Sequence, residues 1–304
     1  MFFSELVEGF LIDCRVRNLS DTTITKYQEA YDLFIEYQGD VDIADITLTD
    51  LRKYSLYLQE RNKYSAGNHP WAEEDDEPLS PWTVHHYLRP VRTIFNWAVD
   101  EEILEKSPAR KLKLPKLPKG RVDVFSDEEI DELLSYARSL NYRDYTIVFL
   151  LLDSGLRRGE LVDLNVEDVD VKTGLVTVRK GKGSKWRQIR VGDACKKVLW
   201  TYLNQHREKS ESEAFFISLR DGNRISGNAV GLILRRIGQE LGFRVYTHKF
   251  RHTFATNLAK QVPNAFLVAQ ALGHSEINTA MIYVHLAQAD SVDVSPMDAH
   301  FKDN

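Results

Sequence analysis

The sequence predicts a mainly α-helical protein with a small antiparallel β-sheet, organised as two domains. Apolar residues recur at helical spacing through the first hundred residues, and a stretch near residue 180 alternates apolar and basic residues as paired strands do. A run of prolines and lysines separates these two regions. With 304 residues and 43% hydrophobic content, the chain is long enough to bury more than one core.

The first region is predicted to be a small bundle of helices. Ser20 caps a helix whose apolar and aromatic residues recur every three or four positions, and Gly39 ends it. Residues 47–50 form a capping-box pattern that starts a second helix. Ser80, followed by Pro81 at the first helical position, starts a further one.

Charge is unevenly distributed along the chain, although the net charge is only −5. By count, residues 1–105 hold 9 Lys and Arg against 21 Asp and Glu, residues 106–121 hold 7 against 0, and the remainder holds 24 against 24. A basic connector of this kind can follow a phosphate backbone. On charge alone, a solvated linker explains it equally well.

A domain boundary is predicted at this basic connector. Its sequence SPARKLKLPKLPKGR contains three prolines, which prevent a helix from continuing and favour an extended path. We therefore expect an N-terminal helical domain over residues 1–107, a linker over 108–124, a second domain over 125–290 and a tail over 291–304.

The second domain is predicted to combine helices with one hairpin. A capping box at 126–129 starts its first helix, and the almost wholly apolar helix at 145–153 should be central. The stretch 175–191 alternates, breaks at a Gly-Lys-Gly-Ser turn and resumes, which is typical of a β-hairpin. Further expected elements are helices at 193–208 and 226–241 and a short strand at 214–217.

Several protein classes are disfavoured. Cys14 and Cys195 lie far apart and outside any CxxC pattern, so neither a disulfide framework nor a zinc module is expected. The GxxxxGK[ST] pattern of a P-loop is absent. The N-terminal stretch has acidic residues in place of the basic start of a signal peptide, and no later run reaches transmembrane length. We therefore expect a soluble, intracellular protein.

Residues suited to phosphate chemistry concentrate near the C-terminus. If Thr247 caps a helix, His248 and Arg251 lie on one face of its first turn, where free N–H groups and the positive dipole end favour an anion. His274 follows in Leu-Gly-His, and Tyr283 offers a hydroxyl that can form a covalent intermediate. Each residue alone is more often structural, and the set with its spacing carries the argument.

This set resembles the C-terminal signature of the tyrosine recombinase (phage integrase) family, in which H-x-[LF]-R-H, L-G-H and a tyrosine follow in this order. The separation is 26 residues from His248 to His274 and 9 from His274 to Tyr283. These values match those expected of Xer-like and integrase members.

Upstream segments extend the resemblance. The octapeptide S-G-L-R-R-G-E-L at 154–161 is similar to the family's first box, G-L-R-x-x-E-L. The match implies that Arg157, the first of the two adjacent arginines, is catalytic and that Glu160 is a buried structural partner. The family also has a catalytic lysine on a hairpin, and the G-K-G turn places it at Lys182, with Lys180 and Lys185 as alternatives.

The resemblance implies an N-terminal helical (SAM-like) core-binding domain and a C-terminal catalytic domain that together clamp duplex DNA. It implies a site-specific DNA recombinase that works through a covalent 3′-phosphotyrosyl intermediate, without metal or other cofactor, in integration, excision or multimer resolution. Tyr283 would be the nucleophile, and His248 would assist removal of its proton. The remaining implied roles are nonbridging-oxygen contacts by Arg157 and Arg251, protonation of the leaving 5′-oxygen by Lys182 and a phosphate hydrogen bond from His274.

The implied partners are double-stranded DNA, further copies of the chain from dimer to tetramer in a synaptic complex, and accessory DNA-bending or directionality proteins. The implied location is the cytoplasm, at the nucleoid of a prokaryote or encoded by a phage or mobile element, away from any membrane. The tail is expected to dock on a neighbouring subunit. Residues expected to contact DNA are Lys111, Lys113, Lys116, Lys119, Arg179, Lys180, Lys185 and Arg187.

Two other interpretations remain open at this point. A type IB topoisomerase uses related chemistry, but the short chain and the order of its boxes favour a recombinase. A non-catalytic DNA-binding relative is the alternative from a different class, and the filling of all six catalytic positions argues against it. A covalent adduct on nicked DNA separates the enzymes from the binding protein.

Overall fold

The computed structural model describes residues 1–62, 77–118, 122–179, 186–273 and 277–289. The chain divides into two compact units, residues 1–120 and 121–304. Both are mainly helical, and the second holds a small antiparallel sheet, so the predicted fold class is confirmed. Within the described ranges, no helix combines the length and the apolar character that a membrane span requires.

Helices packed around aromatic residues form the first unit. They are α1 (Phe3–Val16), α2 (Asp21–Gln38), α3 (Leu48–Glu60) and α4 (Pro81–Asp100). The hydroxyls of Ser20, Thr47 and Ser80 cap α2, α3 and α4 by accepting a backbone N–H three residues later, as their sequence patterns predicted. The sequence pattern had not identified α1 as a separate helix. Phe3, Phe34, Tyr54 and Phe95 are fully buried at the centre of the unit.

The first part of the predicted linker packs on this unit. Ala109 and Leu112 are buried in its core, whereas Lys111, Lys113 and Lys116 are exposed. The backbone from 112 to 118 is not helical, in agreement with its prolines. The apolar residues of the segment thus hold it in place while its lysines face solvent.

The second unit contains the other described helices and the sheet. The helices are α5 (Asp127–Leu140), α6 (Tyr142–Ser154), α7 (Arg158–Asp163), α8 (Asp193–Thr201), α9 (Gly227–Leu241), α10 (Thr247–Gln261), α11 (Ala265–Leu272) and α12 (Asn278–Ala289). The strands are β1 (Val169–Asp170), β2 (Leu175–Val178) and β3 (Arg187–Arg190), antiparallel in the order β1-β2-β3. Val176 lies opposite Val169 on one side and Ile189 on the other. The predicted hairpin is therefore confirmed.

The core of the second unit surrounds α6. Ile147, Val148, Leu150 and Leu151 are all fully buried, so the predicted central helix is confirmed, with an earlier start than expected. Its apolar residues cover more than one face, which is why it packs against neighbours on several sides.

Three local predictions differ in part from the structure. Residues 214–217 do not form a strand but make isolated bridges, Ala214 with Asn165 and Ile217 with Arg224, because each neighbouring segment pairs with them only over a short length. The predicted helix from 193 continues past α8 only as a π-helical turn at Tyr202–His206. Thr247 is the first helical residue of α10, and Tyr246, whose backbone is extended, occupies the cap position.

α6 ends at Gly155, as predicted, and this turn sets the direction of the chain toward α7. Gly155 has a φ of +59°, in the left-handed region that favours glycine. A Cβ atom at this position would lie 2.5 Å from Cδ1 of Phe254 in α10. Both the backbone angle and the packing of α10 on α6 therefore require glycine.

Replacing Gly155 with alanine is expected to destabilise the protein by about 2–4 kcal/mol, from the left-handed backbone and the forced displacement of Phe254. Urea unfolding measures this loss. Gly159→Ala is the matched control, since Gly159 is helical with nothing within 4 Å of an added Cβ, and it should cause no loss. Equal stability of the two variants would contradict this account of the turn.

Candidate active site

Arg157 stands at the N-terminal end of α7, immediately after the Gly155 turn. Its backbone N–H and its Nη1 each donate to the carboxylate of Glu160, both at 2.8 Å. Glu160 is 6% exposed, in agreement with the buried structural role expected of it. The side chain of Arg157 remains 35% exposed, so its guanidinium is oriented by the protein and still reachable from outside.

Arg187 binds the same carboxylate from the hairpin. Its Nη1 and Nη2 donate to the two oxygens of Glu160 at 2.7 and 2.9 Å, a bidentate pair. Burial alone would raise the pKa of Glu160, but the hydrogen bonds and charges of Arg187 and Arg157 outweigh it and lower the pKa to about 2. The guanidinium of Arg187, a residue expected to contact DNA, is largely buried and lies on Glu160.

Arg251 is 4% exposed and joins two turns of the chain. Its Nη1 donates to the carbonyl oxygen of Gly155 at 2.7 Å, and its Nη2 donates to that of Leu272 at 2.5 Å. Leu272 ends α11 and is followed by Gly273, which has a φ of +65°. A Cβ on Gly273 would lie 3.0 Å from Cδ and Nη1 of Arg187. The chain at Leu272 and Gly273 therefore approaches both Arg251 and Arg187 closely.

The phenol of Tyr283 meets His252 rather than His248. Tyr283 is 5% exposed on α12, and its hydroxyl lies 2.8 Å from Nδ1 of His252 on α10. The two rings have centroids 5.7 Å apart. His248 is exposed one helical turn before His252, with its ring centroid 6.5 Å from that of His252.

Electrostatics define the protonation states of this pair. Partial burial and the charges of His248 and Arg251 lower the pKa of His252, against a smaller opposing effect of Asp123. Burial raises the pKa of Tyr283, and the charge of Arg251 opposes this. Both shifts favour a neutral imidazole and a protonated phenol near neutral pH. With the imidazole proton on Nε2, the phenol donates and Nδ1 accepts.

Positive charge predominates around the buried carboxylate. Arg157, Arg187 and Arg251 interact with the single negative charge of Glu160. Burial, and then the charge of Arg157, lower the pKa of Arg251 to about 10. Partial burial and neighbouring arginines also lower the pKa of His248. These shifts mean that an added anion would be stabilised here, so the arrangement suits a phosphate group.

Several predicted site residues lie outside the described part of the chain: Lys119, Lys180, Lys182, Lys185 and His274. In sequence, Lys182 falls between β2 and β3, and His274 directly follows Gly273. The predicted tail, residues 291–304, is also outside the described ranges. Arg179, expected to contact DNA, is half exposed, pairs with Glu167 at 3.0 Å and is hydrogen-bonded to Asp168.

Two contacts at the site were not predicted. His252 is the final histidine of the H-x-[LF]-R-H motif, and it is four residues after His248 on the same helix face. That spacing was the available signal, but no role had been assigned to it. The pairing of Arg187 with Glu160 joins positions 27 residues apart on different elements, which residue spacing does not reveal.

Comparisons with known proteins match the chain over nearly its whole length. Residues 123–290 match the phage integrase family, and residues 3–114 match the phage integrase SAM-like domain. Tyrosine recombinase XerD of Oceanobacillus iheyensis is 28% identical over 297 residues, which cover 93% of this chain and 94% of the relative. The match to residues 123–290 includes every described residue of the site.

Two solved structures have a similar fold. A lambda integrase dimer bound to a COC' core site has a TM-score of 0.75 at 16% identity, covering 93% of this chain and 95% of the other. A lambda integrase tetramer bound to a Holliday junction has a TM-score of 0.71 at 15% identity, covering 91% and 78%.

Replacing Arg187 with glutamine is expected to make the fold more sensitive to acid. Because the pKa of Glu160 falls from 4.5 to about 2 on folding, its contribution to stability is present above about pH 4.5 and is lost as the pH falls through 2. Losing the bidentate partner raises the folded-state pKa, so the loss begins at higher pH.

Thermal unfolding between about pH 2 and pH 6 measures this shift. Arg190→Gln is the control on the same strand, because Arg190 donates to the backbone carbonyl of Thr173 and not to a carboxylate in the contacts described here. Identical pH profiles for the two variants would show that Arg187 does not hold the pKa of Glu160 down.

Proposed function

Because the chain belongs to the phage integrase family, we propose that its residues cleave and rejoin DNA by the reaction of a tyrosine-type site-specific recombinase. One observation carries the proposal. Two arginines, an imidazole and a buried phenol converge where positive charge exceeds negative. Such a site binds a phosphodiester and supplies the group that attacks it.

Tyr283 is the nucleophile. Its Oη attacks the scissile phosphorus, forms a 3′-phosphotyrosyl bond and releases a 5′-hydroxyl. The hydroxyl of a second strand then reverses the step. Because the phosphodiester bond is exchanged for a phosphotyrosyl bond of the same class, rejoining requires no external energy source and no cofactor.

Arg157 and Arg251 bind the nonbridging oxygens. Guanidinium groups present planar, paired donors that fit a phosphate better than an ammonium does, and their charge stabilises the extra negative charge of the pentacovalent transition state. Two of the five N–H donors of Arg251 are used by backbone carbonyls of the described residues. These bonds orient the remaining donors toward the phosphate.

The proton transfers use residues of the hairpin and of α10. Lys182 protonates the leaving 5′-oxygen, since a flexible ammonium on a turn can follow the departing group. His248 assists removal of the proton from Tyr283, and His274 donates a hydrogen bond to the phosphate.

Duplex DNA is the substrate, held by two domains. The N-terminal domain over 1–107 binds the DNA core, the linker over 108–124 follows the phosphate backbone and the catalytic domain extends over 125–290. Exposure of Lys111, Lys113 and Lys116 supports this role of the linker. The DNA-bound dimer and tetramer of lambda integrase support self-assembly of this chain on DNA. Accessory DNA-bending proteins and a cytoplasmic, nucleoid location complete the proposal.

Tyr283→Phe is expected to retain DNA binding and to lose all covalent adducts, because it removes one oxygen and little volume. To obtain a substrate, a pool of nicked duplexes with randomised cores is incubated with the wild-type chain, and the duplex captured as a covalent adduct is selected. This selected duplex is then used for both the wild-type chain and the variant. Gel retardation measures binding, and denaturing gels measure adducts. Adducts that persist in the variant would overturn the assignment of the nucleophile, and failure of the wild-type chain to form any would overturn the proposed function.

Lys182→Ala is expected to bind the selected duplex normally and to cleave it slowly, by about 10²-fold or more, because the proton is needed only as the 5′-oxygen departs. A 5′-bridging sulfur at the scissile phosphate should restore its rate, since a thiolate leaves without a proton. Arg157→Ala is the control, which sulfur should not rescue. Rescue of a Lys180 or Lys185 variant in place of Lys182→Ala would move the role to that residue.

A further inference from the structure

The hydroxyl of Tyr283 is within hydrogen-bond distance of His252, a residue to which the proposed function assigns no role. Nδ1 of His252 lies 2.8 Å from Tyr283 Oη, within hydrogen-bond distance. His248 lies one helical turn away, with an exposed ring. A general base must reach the proton that it removes, and in this structure His252 does so.

We propose that His252 accepts the proton of Tyr283 directly as the phenol attacks the phosphate, so that the assistance of His248 in removing this proton is indirect. This inference rests on the proposed function, because it assumes that Tyr283 is the nucleophile. It makes His252 a catalytic residue, since it touches a reacting atom. His248, exposed beside Arg251, is then left to donate a hydrogen bond to the bound phosphate.

The proposed step is balanced. The Tyr283 proton moves to Nδ1 of His252, and the freed electron pair forms the Oη–P bond. The P–O5′ bond breaks in the same displacement, and its electron pair leaves on the 5′-oxygen, which takes a proton from Lys182. In the rejoining step the attacking 5′-hydroxyl gives its proton to Lys182, which lost one in the first step, and its oxygen forms the new P–O5′ bond. The Oη–P bond breaks, and the imidazolium of His252 returns its proton to Oη.

The surroundings of His252 suit this task. His248 and Arg251 lie on its own helix, Tyr283 faces it from α12, and Asp123 lies before α5. Partial burial and the positive neighbours favour a neutral imidazole before the reaction, and in its Nε2–H tautomer the Nδ1 lone pair is available to the phenol. A bound phosphate places a negative charge nearby and stabilises the imidazolium that forms. The base therefore becomes stronger when substrate is present.

His252→Asn tests the proposal with little change of shape. The carboxamide oxygen can still accept the phenol hydrogen bond, but it cannot take the proton. On the selected nicked duplex, the wild-type single-turnover rate should fall as the pH drops below the lowered pKa of His252. The variant should cleave about 10²-fold to 10⁴-fold more slowly and lose this acid-side decline. A rate within twofold of wild type, or a slower rate with the decline intact, overturns the proposal.

His252→Ala provides a second test that does not depend on one variant folding well. Added imidazole should restore its cleavage in proportion to the unprotonated imidazole concentration. It should not restore His248→Ala, the matched control one turn away. Rescue of His248→Ala alone assigns the proton to His248 and overturns the proposal.

Failure of this inference is distinguishable from failure of the proposed function. A 5′-bridging sulfur should not rescue either His252 variant, because it replaces only the proton of the leaving group. If sulfur restores their rate, His252 acts on departure of the 5′-oxygen and the proposal is overturned. In either case the Tyr283→Phe experiment separately decides whether Tyr283 is the nucleophile.

Discussion

The buried guanidinium of Arg251 is the interaction on which the geometry of the site depends. It donates to the carbonyl oxygens of Gly155 and Leu272, which lie at the C-terminal ends of α6 and α11. Helix C-termini offer unpaired acceptors and the negative end of the helix dipole, so a cation is stabilised there. One side chain thereby fixes the turn that leads into Arg157 and the turn that leads into His274. Arg157, a proposed phosphate ligand, therefore takes its position from the ends of two helices rather than from a flexible loop.

The same charges that prepare the site oppose the folding of the empty protein. Glu160 compensates Arg157 and Arg187, and it is the only carboxylate in the described residues that is hydrogen-bonded to both. Arg251 has its pKa lowered to about 10, which shows that its charge is held at a cost. An arriving phosphate would offset this cost. Affinity for the anion and stability without it are therefore opposed in this domain, as they commonly are at functional sites.

Local signals in the sequence predicted the ends of elements, and contacts between distant elements were harder to predict. Ser126 and Gly155 could be assigned because their partners lie within a few residues along the chain. The apolar run at 214–217 suggested a strand, but the length over which it pairs depends on neighbouring segments that are distant in sequence. The contact between His252 and Tyr283 depends on how α12 is rotated about its axis relative to α10. The spacing of apolar residues in either helix does not determine this rotation. Family resemblance supplied part of this missing information, because the order of its motifs places Arg157 and Arg251 in one site.

Tyr283, the proposed nucleophile, also helps to hold its own helix in place. In the cluster that joins α12 to α10 and α11, five of the nine buried residues are alanines, and Tyr283 has the largest side chain among the nine. Alanine buries little apolar surface, so the tyrosine ring supplies much of the area removed from water on docking. Any displacement of the phenol toward a phosphate therefore loosens the packing of α12, and any movement of α12 displaces the phenol.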